Sequence, residues 1–264
     1  MAWRCSAKSN SGLVDNLLLY QAFLQTDRGH FTPAQPYMDS PQVIGYGQST
    51  DIFEPLSFSL NRCAVSPLVH QRSGRGRLTL ASPRNAGATI SAPHMHAHAV
   101  ENLEGLLQPG ASVLDVVFSI GCGSGYLIAI FHALVGPSGL VVGIDHIPQL
   151  TSLARTNLLK APSTSSALTA GSIKLVPADG RRGAPSEVFP SEGFDCIHVG
   201  AASPVWPTEL VKQLKSPGRM FVPIGEDEQE VFQIDKDRNG EVSSQKLFGV
   251  RYVPLTDRDK QWKP

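Results

Sequence analysis

An α/β fold built on a doubly wound, mostly parallel sheet that ends in an antiparallel C-terminal hairpin is predicted by three features of this chain. One β-loop-α-β unit runs from Val113 to Asp145, with three glycines at its first turn. Short apolar runs recur after it, and Gly121, Asp145, Asp179 and Gly200 all fall where such runs end, which is where parallel α/β sheets bind ligands. Finally, Asn239-Gly240 separates two late β-rich runs, a hairpin signal.

Within the first unit, the apolar run Val113 to Ile120 carries one acid, Asp115, and leads into Gly121, Gly123 and Gly125. A strand that turns straight into a helix brings its backbone against a ligand only where no Cβ intervenes. The pattern is GxGxG, whereas a dinucleotide fingerprint is GxGxxG with a pyrophosphate on the helix N-terminus. The early third glycine fits a nucleoside cofactor without that diphosphate better than NAD. An NAD-dependent oxidoreductase is further disfavoured because no hydride-transfer constellation is recognisable. Asp145 lies 20 residues past Gly125, where a strand-end carboxylate can accept both ribose hydroxyls. Its bland reading is a turn acid. Each strand-end residue has such a reading singly, but the set does not.

The 264 residues suffice for one full core. Lys+Arg and Asp+Glu both number 23, so no global field draws the chain to nucleic acid or to an anionic membrane. Cys5, Cys63, Cys122 and Cys196 show neither CxxC nor zinc spacing and read as reduced cytosolic thiols. The first residues lack an apolar signal core, and no run approaches the ~20 apolar residues that cross a bilayer. A soluble cytosolic protein with no metal is expected.

In chain order, residues 13–25 carry a helical stripe of Leu13, Leu17, Leu18, Ala22 and Leu24. Pro33, Pro36 and Pro41 then forbid a continuing helix and predict an extended, ordered arm through residue 47. Gln48 to Gly87 has no lysine and no sustained period, and reads as a solvated or disordered insertion. A phosphate-contacting patch at Arg72, Arg75, Arg77 and Arg84 is the weaker reading, since no aromatic residues interleave the charges. Pro93 opens a helix with the stripe Met95, Ala99, Leu103, Leu106 and Leu107, stopped by Pro109-Gly110. On it His94, His96 and His98 are spaced by two, which turns neighbours to different faces and disfavours a metal site; His96 is better read as a cofactor contact. Pro148 to Lys160 predicts a helix, residues 162–172 a linker, Ser172 to Ala178 a third strand and Phe194 to Val199 a fourth. Pro207 to Leu214 predicts a short helix, and SPGRMFVPIG a turn into a fifth strand. Glu230 to Asp235 and Gln245 to Pro254 predict the hairpin.

The stretches PYMDSPQVIGYG, ATISAPHMHAHA, GCGSGY, VVGIDH, ADGRRG, FDCIHVGAASP and YVPLTDRDKQW resemble the eukaryotic protein-L-isoaspartate(D-aspartate) O-methyltransferases, from the arm to the C-terminus. The resemblance implies a class I S-adenosylmethionine-dependent methyltransferase, Rossmann-like, with a seven-stranded sheet whose last strand is antiparallel. It implies methyl transfer from S-adenosyl-L-methionine to the free carboxylate of L-isoaspartyl and D-aspartyl residues in damaged proteins and peptides, as a repair reaction. It assigns Ser91 to orienting that carboxylate, where the bland role is a helix cap. Ala88, Thr89, Ile90, Ser91, His96, Asp115, Gly121, Gly123, Gly125, Asp145, Asp179, Gly180, Thr256 and Gln261 are implied to line the cofactor pocket, with Asp145 on the ribose and Asp179 on the adenine amino group. A cytosolic monomer is expected, with one methyltransferase domain over residues 88–264 together with the arm.

The chain departs from the family's pattern at two insertions. Deleting Gln48 to Gly87 and Val117 to Ile120 restores GYGATISAPH and LDVGCGSGY with no residue left over. The region before Thr26 is also shorter than the family's. A catalytically inactive, cofactor-binding isoform is therefore the competing reading.

Overall fold

The computed structural model describes residues 17–33, 35–45, 88–117 and 122–252. The expectations on Leu13, Gln48 to Gly87 with its arginines, Phe118 to Ile120, Gly121, Thr256 and Gln261 lie outside them.

Helix α1 (Leu17–Gln25) precedes a short 3-10 turn at Arg28–His30, after which strand β1 (Gln42–Gly45) pairs antiparallel with β2 (Ala88–Ile90). Helix α2 (Pro93–Leu103) leads to the main sheet: β3 (Ser112–Val117), α3 (Tyr126–Val135), β4 (Leu140–Asp145), α4 (Pro148–Leu158), α5 (Pro162–Ala170), β5 (Ile173–Pro177), β6 (Phe194–Val199), α6 (Thr208–Gln213), β7 (Leu214–Ile224), β8 (Gln229–Lys236) and β9 (Val242–Val250). The seven strands lie in the order β5-β4-β3-β6-β7-β8-β9. The first five are parallel, while both C-terminal pairings are antiparallel, so β8 alone runs against the rest.

The order reverses at β3, the first strand of the main sheet, which is flanked by β4 and β6. That switch point is where a crevice opens at the strand ends. Alternation along the strands divides the core. Val113, Val141, Cys196 and Phe221 face one layer with Val100, Ile130 and Leu158 of the helices. Leu114, Val142, Ile197 and Met220 face the other, with Leu210 of α6.

Four expectations are corrected. Residues 162–170 are helical rather than a linker: Pro162 supplies a pre-set φ at the first turn, Thr164 and Ala167 are buried, and Gly171 closes the helix at φ 80°. Helix α1 buries Leu19, Ala22 and Phe23, leaving Leu17, Leu18 and Leu24 exposed. The ring of Phe23 lies 6.5 Å from that of Tyr126 on α3, so one aromatic contact selects the face against three leucines. On α2 the buried stripe is His96, Ala99, Val100 and Leu103, with Met95 and Leu106 only half-buried. The expected turn at Ser216–Gly218 is taken into β7, where the pairing with β6 jumps from Phe194↔Leu214 to Cys196↔Arg219.

Candidate active site

β4 ends at Asp145, whose side chain is wholly buried. Its Oδ1 accepts the N–H of Ile147 at 2.8 Å, whereas its Oδ2 is buried with no hydrogen-bond partner. Burial raises its pKa from 3.8 to about 8, opposed by the Ile147 N–H and reinforced by the charge of Asp115. A carboxylate placed so needs donors, and two ribose hydroxyls are donors of the right kind.

Asp115 lies level with Gly143 on β4, two residues short of Asp145. Across the other edge it faces His198, whose Nδ1 is 2.7 Å from its Oδ1. His198 is stacked at 5.9 Å on Phe221. Asp115 is thus engaged through Oδ1 inside the sheet, one step below the rim on which Asp145 sits, while its Oδ2, like that of Asp145, is buried without a hydrogen-bond partner.

The glycine loop resumes at Cys122–Ser124 and is held by protein on two sides. A Cβ on Gly123 would come 3.0 Å from Ile44 of β1 and 3.1 Å from Leu150 of α4. Gly125 has φ +82°, and a Cβ there would lie 3.3 Å from the carbonyl of Ala154. The close approach that these two glycines permit is therefore of α4 and the arm. Asn157 fixes the loop by donating to the Ser124 carbonyl at 3.0 Å, and Lys160 donates both to Asn157 and to the His30 carbonyl of the arm.

Ser91 follows β2, in which Ala88 and Ile90 are buried and Thr89 is half-buried. Its bland role is not what is found. The N-cap of α2 is Ala92, without a side-chain cap, and the first turn is served by Asp39, which accepts the His94 N–H at 3.1 Å and approaches its ring at 2.8 Å. The Ser91 carbonyl accepts from Arg28 Nη2 at 2.6 Å. His96 is buried against Tyr126, its Nδ1 3.1 Å from Arg28 Nη1. Burial foremost, and then the Arg28 charge, depress its pKa well below the usual value, so it is neutral. His94 and His98, four residues apart, share a face with rings 6.3 Å apart, a pairing that counting in twos hides.

Asp179 caps the turn Gly180–Arg182 and is gripped by Arg181, with Nε 3.0 Å from Oδ1 and Nη2 2.9 Å from Oδ2. Burial tends to raise its pKa, but the Arg181 hydrogen bonds and charge outweigh that and hold it below 3.8. Beside it, a cleft of about 200 Å³ opens at the ends of β3 and β6, lined by Val116, Gly180, Val199, Ser203 and Trp206. A larger hollow of about 610 Å³, among Phe189, Lys212, Lys215 and Lys236, lies at the amino ends of β6 and β7, away from all of these residues. Arg28, Tyr126, Asn157 and Arg181 escape sequence reasoning, because an arginine or asparagine in an unperiodic stretch carries no signal of its partner.

The sequence and the architecture agree with known proteins. Residues 79–260 match the protein-L-isoaspartate(D-aspartate) O-methyltransferase (PCMT) family. The chain belongs to that family. It is 38% identical over 273 aligned positions to protein-L-isoaspartate O-methyltransferase of Caenorhabditis elegans, spanning 99% of each chain. The Triticum aestivum protein of the same name is 37% identical over 97% of this chain and 95% of its own. Among solved structures, the Plasmodium falciparum PCMT in complex with S-adenosyl-L-homocysteine superposes with a TM-score of 0.68 at 26% identity, over 97% of this chain and 96% of that one. Membership makes the chain an S-adenosylmethionine-dependent methyltransferase. Among the described residues, no helix of this methyltransferase is long and apolar enough to cross a membrane.

Proposed function

We propose that this chain methylates the free carboxylate of L-isoaspartyl, and of D-aspartyl, residues in damaged proteins, with Ser91 orienting that carboxylate. The observation that carries the cofactor half of the reading is the buried, unpartnered Oδ2 of Asp145 at the sheet's switch point. Bound S-adenosylmethionine supplies an electrophilic methyl carbon on a sulfonium sulfur. Asp145 would hold the ribose and Asp179 the adenine amino group, with Ala88, Thr89, Ile90, Ser91, His96 and Gly180 lining the pocket around them. Asp115, Gly121, Gly123, Gly125, Thr256 and Gln261 are the further residues we assign to the lining of the cofactor pocket.

The substrate carboxylate has a pKa near ~4 and is already ionised at neutral pH, so no residue need act as general base. Catalysis then consists of holding one carboxylate oxygen in line at ~3–3.5 Å while water is kept away. The Ser91 hydroxyl donates to the other oxygen. It does not become a nucleophile. We further infer a cytosolic monomer with one globular domain, formed by residues 88–264 and the arm, from which Gln48 to Gly87 is looped out at small closure cost. Binding without turnover is the second reading, favoured by Val117 occupying the level of Asp145, where the restored LDVG would put a glycine.

The test is Ser91→Ala assayed on an isoaspartyl peptide beside its aspartyl counterpart, with S-adenosylhomocysteine binding measured in parallel. A large fall in kcat with little change in cofactor affinity is expected, because an orienting hydroxyl contributes mainly as the methyl moves. Unchanged kcat would sink the assignment.

A further inference from the structure

Arg28 is a cation that the mechanism above does not use. Its side chain is only 2% exposed. It stands in a 3-10 turn that Asp27 holds in place by accepting the Gly29 N–H at 2.8 Å and the Tyr37 hydroxyl at 2.6 Å. From there the guanidinium reaches two elements far away in sequence: Nη2 donates to the Ser91 carbonyl at 2.6 Å, and Nη1 lies 3.1 Å from His96 Nδ1. Its Cζ is 5.0 Å from the centre of the Tyr126 ring, and the His96 ring lies 5.2 Å from the same ring. The Asp39 carboxylate acts on it through its charge, and its Nε–H is buried without a hydrogen-bond partner. Holding a charge in this way is costly, and arginine cannot escape the cost by losing its proton.

We propose that Arg28 is a positioning residue for methyl transfer, fixing the peptide that carries Ser91 and obliging His96 to adopt the neutral tautomer with its proton on Nε2. The first half follows from geometry, since a planar fork that holds a carbonyl at one η nitrogen and an imidazole at the other sets the distance between Ser91 and His96. The second half follows from chemistry. A guanidinium donates and never accepts, so Nδ1 of His96 must be the acceptor, and its single proton lies on Nε2. His96 thereby keeps one donor pointing away from Arg28, available to a ligand. Burial and the neighbouring cation keep the ring from taking a second proton. The inference rests on the reading that Ser91 and His96 face the ligands.

Nitrogen-15 and proton correlation of the histidine-labelled full chain reads the tautomer directly, without any substitution. An Nε2-protonated His96 with bare Nδ1 is expected, and a proton on Nδ1 overturns the proposal. Arg28→Met and Arg28→Lys then test the consequence, with folding followed by Tm. In folded Arg28→Met, kcat on an isoaspartyl peptide is expected to fall roughly 10- to 100-fold, the cost of a misplaced reacting group, and the His96 signals to move to mixed tautomers. Arg28→Lys, which keeps the charge but reaches one acceptor instead of two, is expected to recover only part of this. Unchanged kcat and unchanged His96 signals in either folded variant overturn the proposal. Ser91→Ala with wild-type kcat would instead remove the active-site reading while leaving the His96 tautomer as measured, so the two failures are distinct.

Discussion

Asp145 and Asp179 stand at the ends of neighbouring strands, and the chain even joins them directly, the Ala178 N–H donating to the Asp145 carbonyl at 3.0 Å. The two carboxylates are nevertheless in opposite states. Asp145 is wholly buried with one oxygen lacking a donor, and its pKa is driven up to about 8. Asp179 is 33% exposed, both oxygens are taken by Arg181, and its pKa is held down. One carboxyl group keeps an oxygen without a hydrogen-bond donor, and the other has both oxygens engaged by a neighbouring arginine. A strand-end acid in the sequence marks where a ligand can come, and the structure distinguishes the two acids by burial and by partner.

The first test concerns the strand that bears on Asp145. Val117 pairs with Asp145, and Cys122 and Gly123 resume the loop only after four further residues. With Val117 to Ile120 removed, Gly121 follows Val116 and takes the position level with Asp145. Four residues at ~3.3 Å rise can displace a loop by up to ~13 Å, far beyond the tolerance of a reacting site. The deletion is expected to raise isoaspartyl methylation by roughly 10- to 100-fold at matched folded concentration, and removal of Gln48 to Gly87 in addition to give a smaller gain. Equal rates in the full chain and the four-residue deletion would show that the insertion is accommodated.

The second test is the contrast between the two acids. Asp145→Ala is expected to weaken S-adenosylhomocysteine binding by about 1.5–3 kcal/mol for each ribose bond lost, with the fold kept. Asp179→Ala should cost much less, because Asp179 must first release Arg181. Calorimetry of both variants decides it, and equal losses would erase the contrast.

The same contrast has a pH signature. The folded pKa of Asp145, about 8, is above its ordinary 3.8, so between those values the native chain holds a proton that the unfolded chain has released. Stability without ligand is therefore expected to fall as pH rises through that window, by at most about 1.4 kcal/mol per unit, and to level off above it. Asp145→Asn should flatten the slope in denaturant titrations from pH 5 to 8. A wild-type slope that survives the substitution would assign it to other groups.

Much of this was legible in the residues themselves. The run Val113 to Asp145, the strand at Phe194–Val199 and the Asn239-Gly240 hairpin carry local chemistry that names their structure. What was not legible depends on partners remote in sequence. The serines and threonines of residues 162–170 look like a linker until Thr164 and Ala167 are seen buried on one side. The leucines of α1 outnumber Phe23, yet Tyr126 decides which face turns inward. Gly123 and Gly125 read as room for a ligand, and the sequence does not say that Ile44, Leu150 and Ala154 stand where their Cβ atoms would be. Arg28 is the extreme case, for its meaning lies 63 and 68 residues away at Ser91 and His96.

The smallest expected effect sharpens the comparison most. Arg181→Ala leaves Asp179 in place and removes the fork that occupies it. Both side chains are partly exposed, 44% and 33%, and such a pair is worth about 0–1 kcal/mol after solvent screening. Fold stability should therefore hardly change. If Asp179 receives the adenine amino group, freeing its oxygens removes a competitor, and S-adenosylhomocysteine should bind slightly tighter, by no more than about fivefold on the same scale. The sign is what matters: Asp145→Ala and Asp179→Ala are expected to weaken binding, and Arg181→Ala to strengthen it. Weaker binding in Arg181→Ala would mean that the arginine itself touches the cofactor, and that the occupied acid at the end of β5 is a platform for Arg181 rather than a site in waiting.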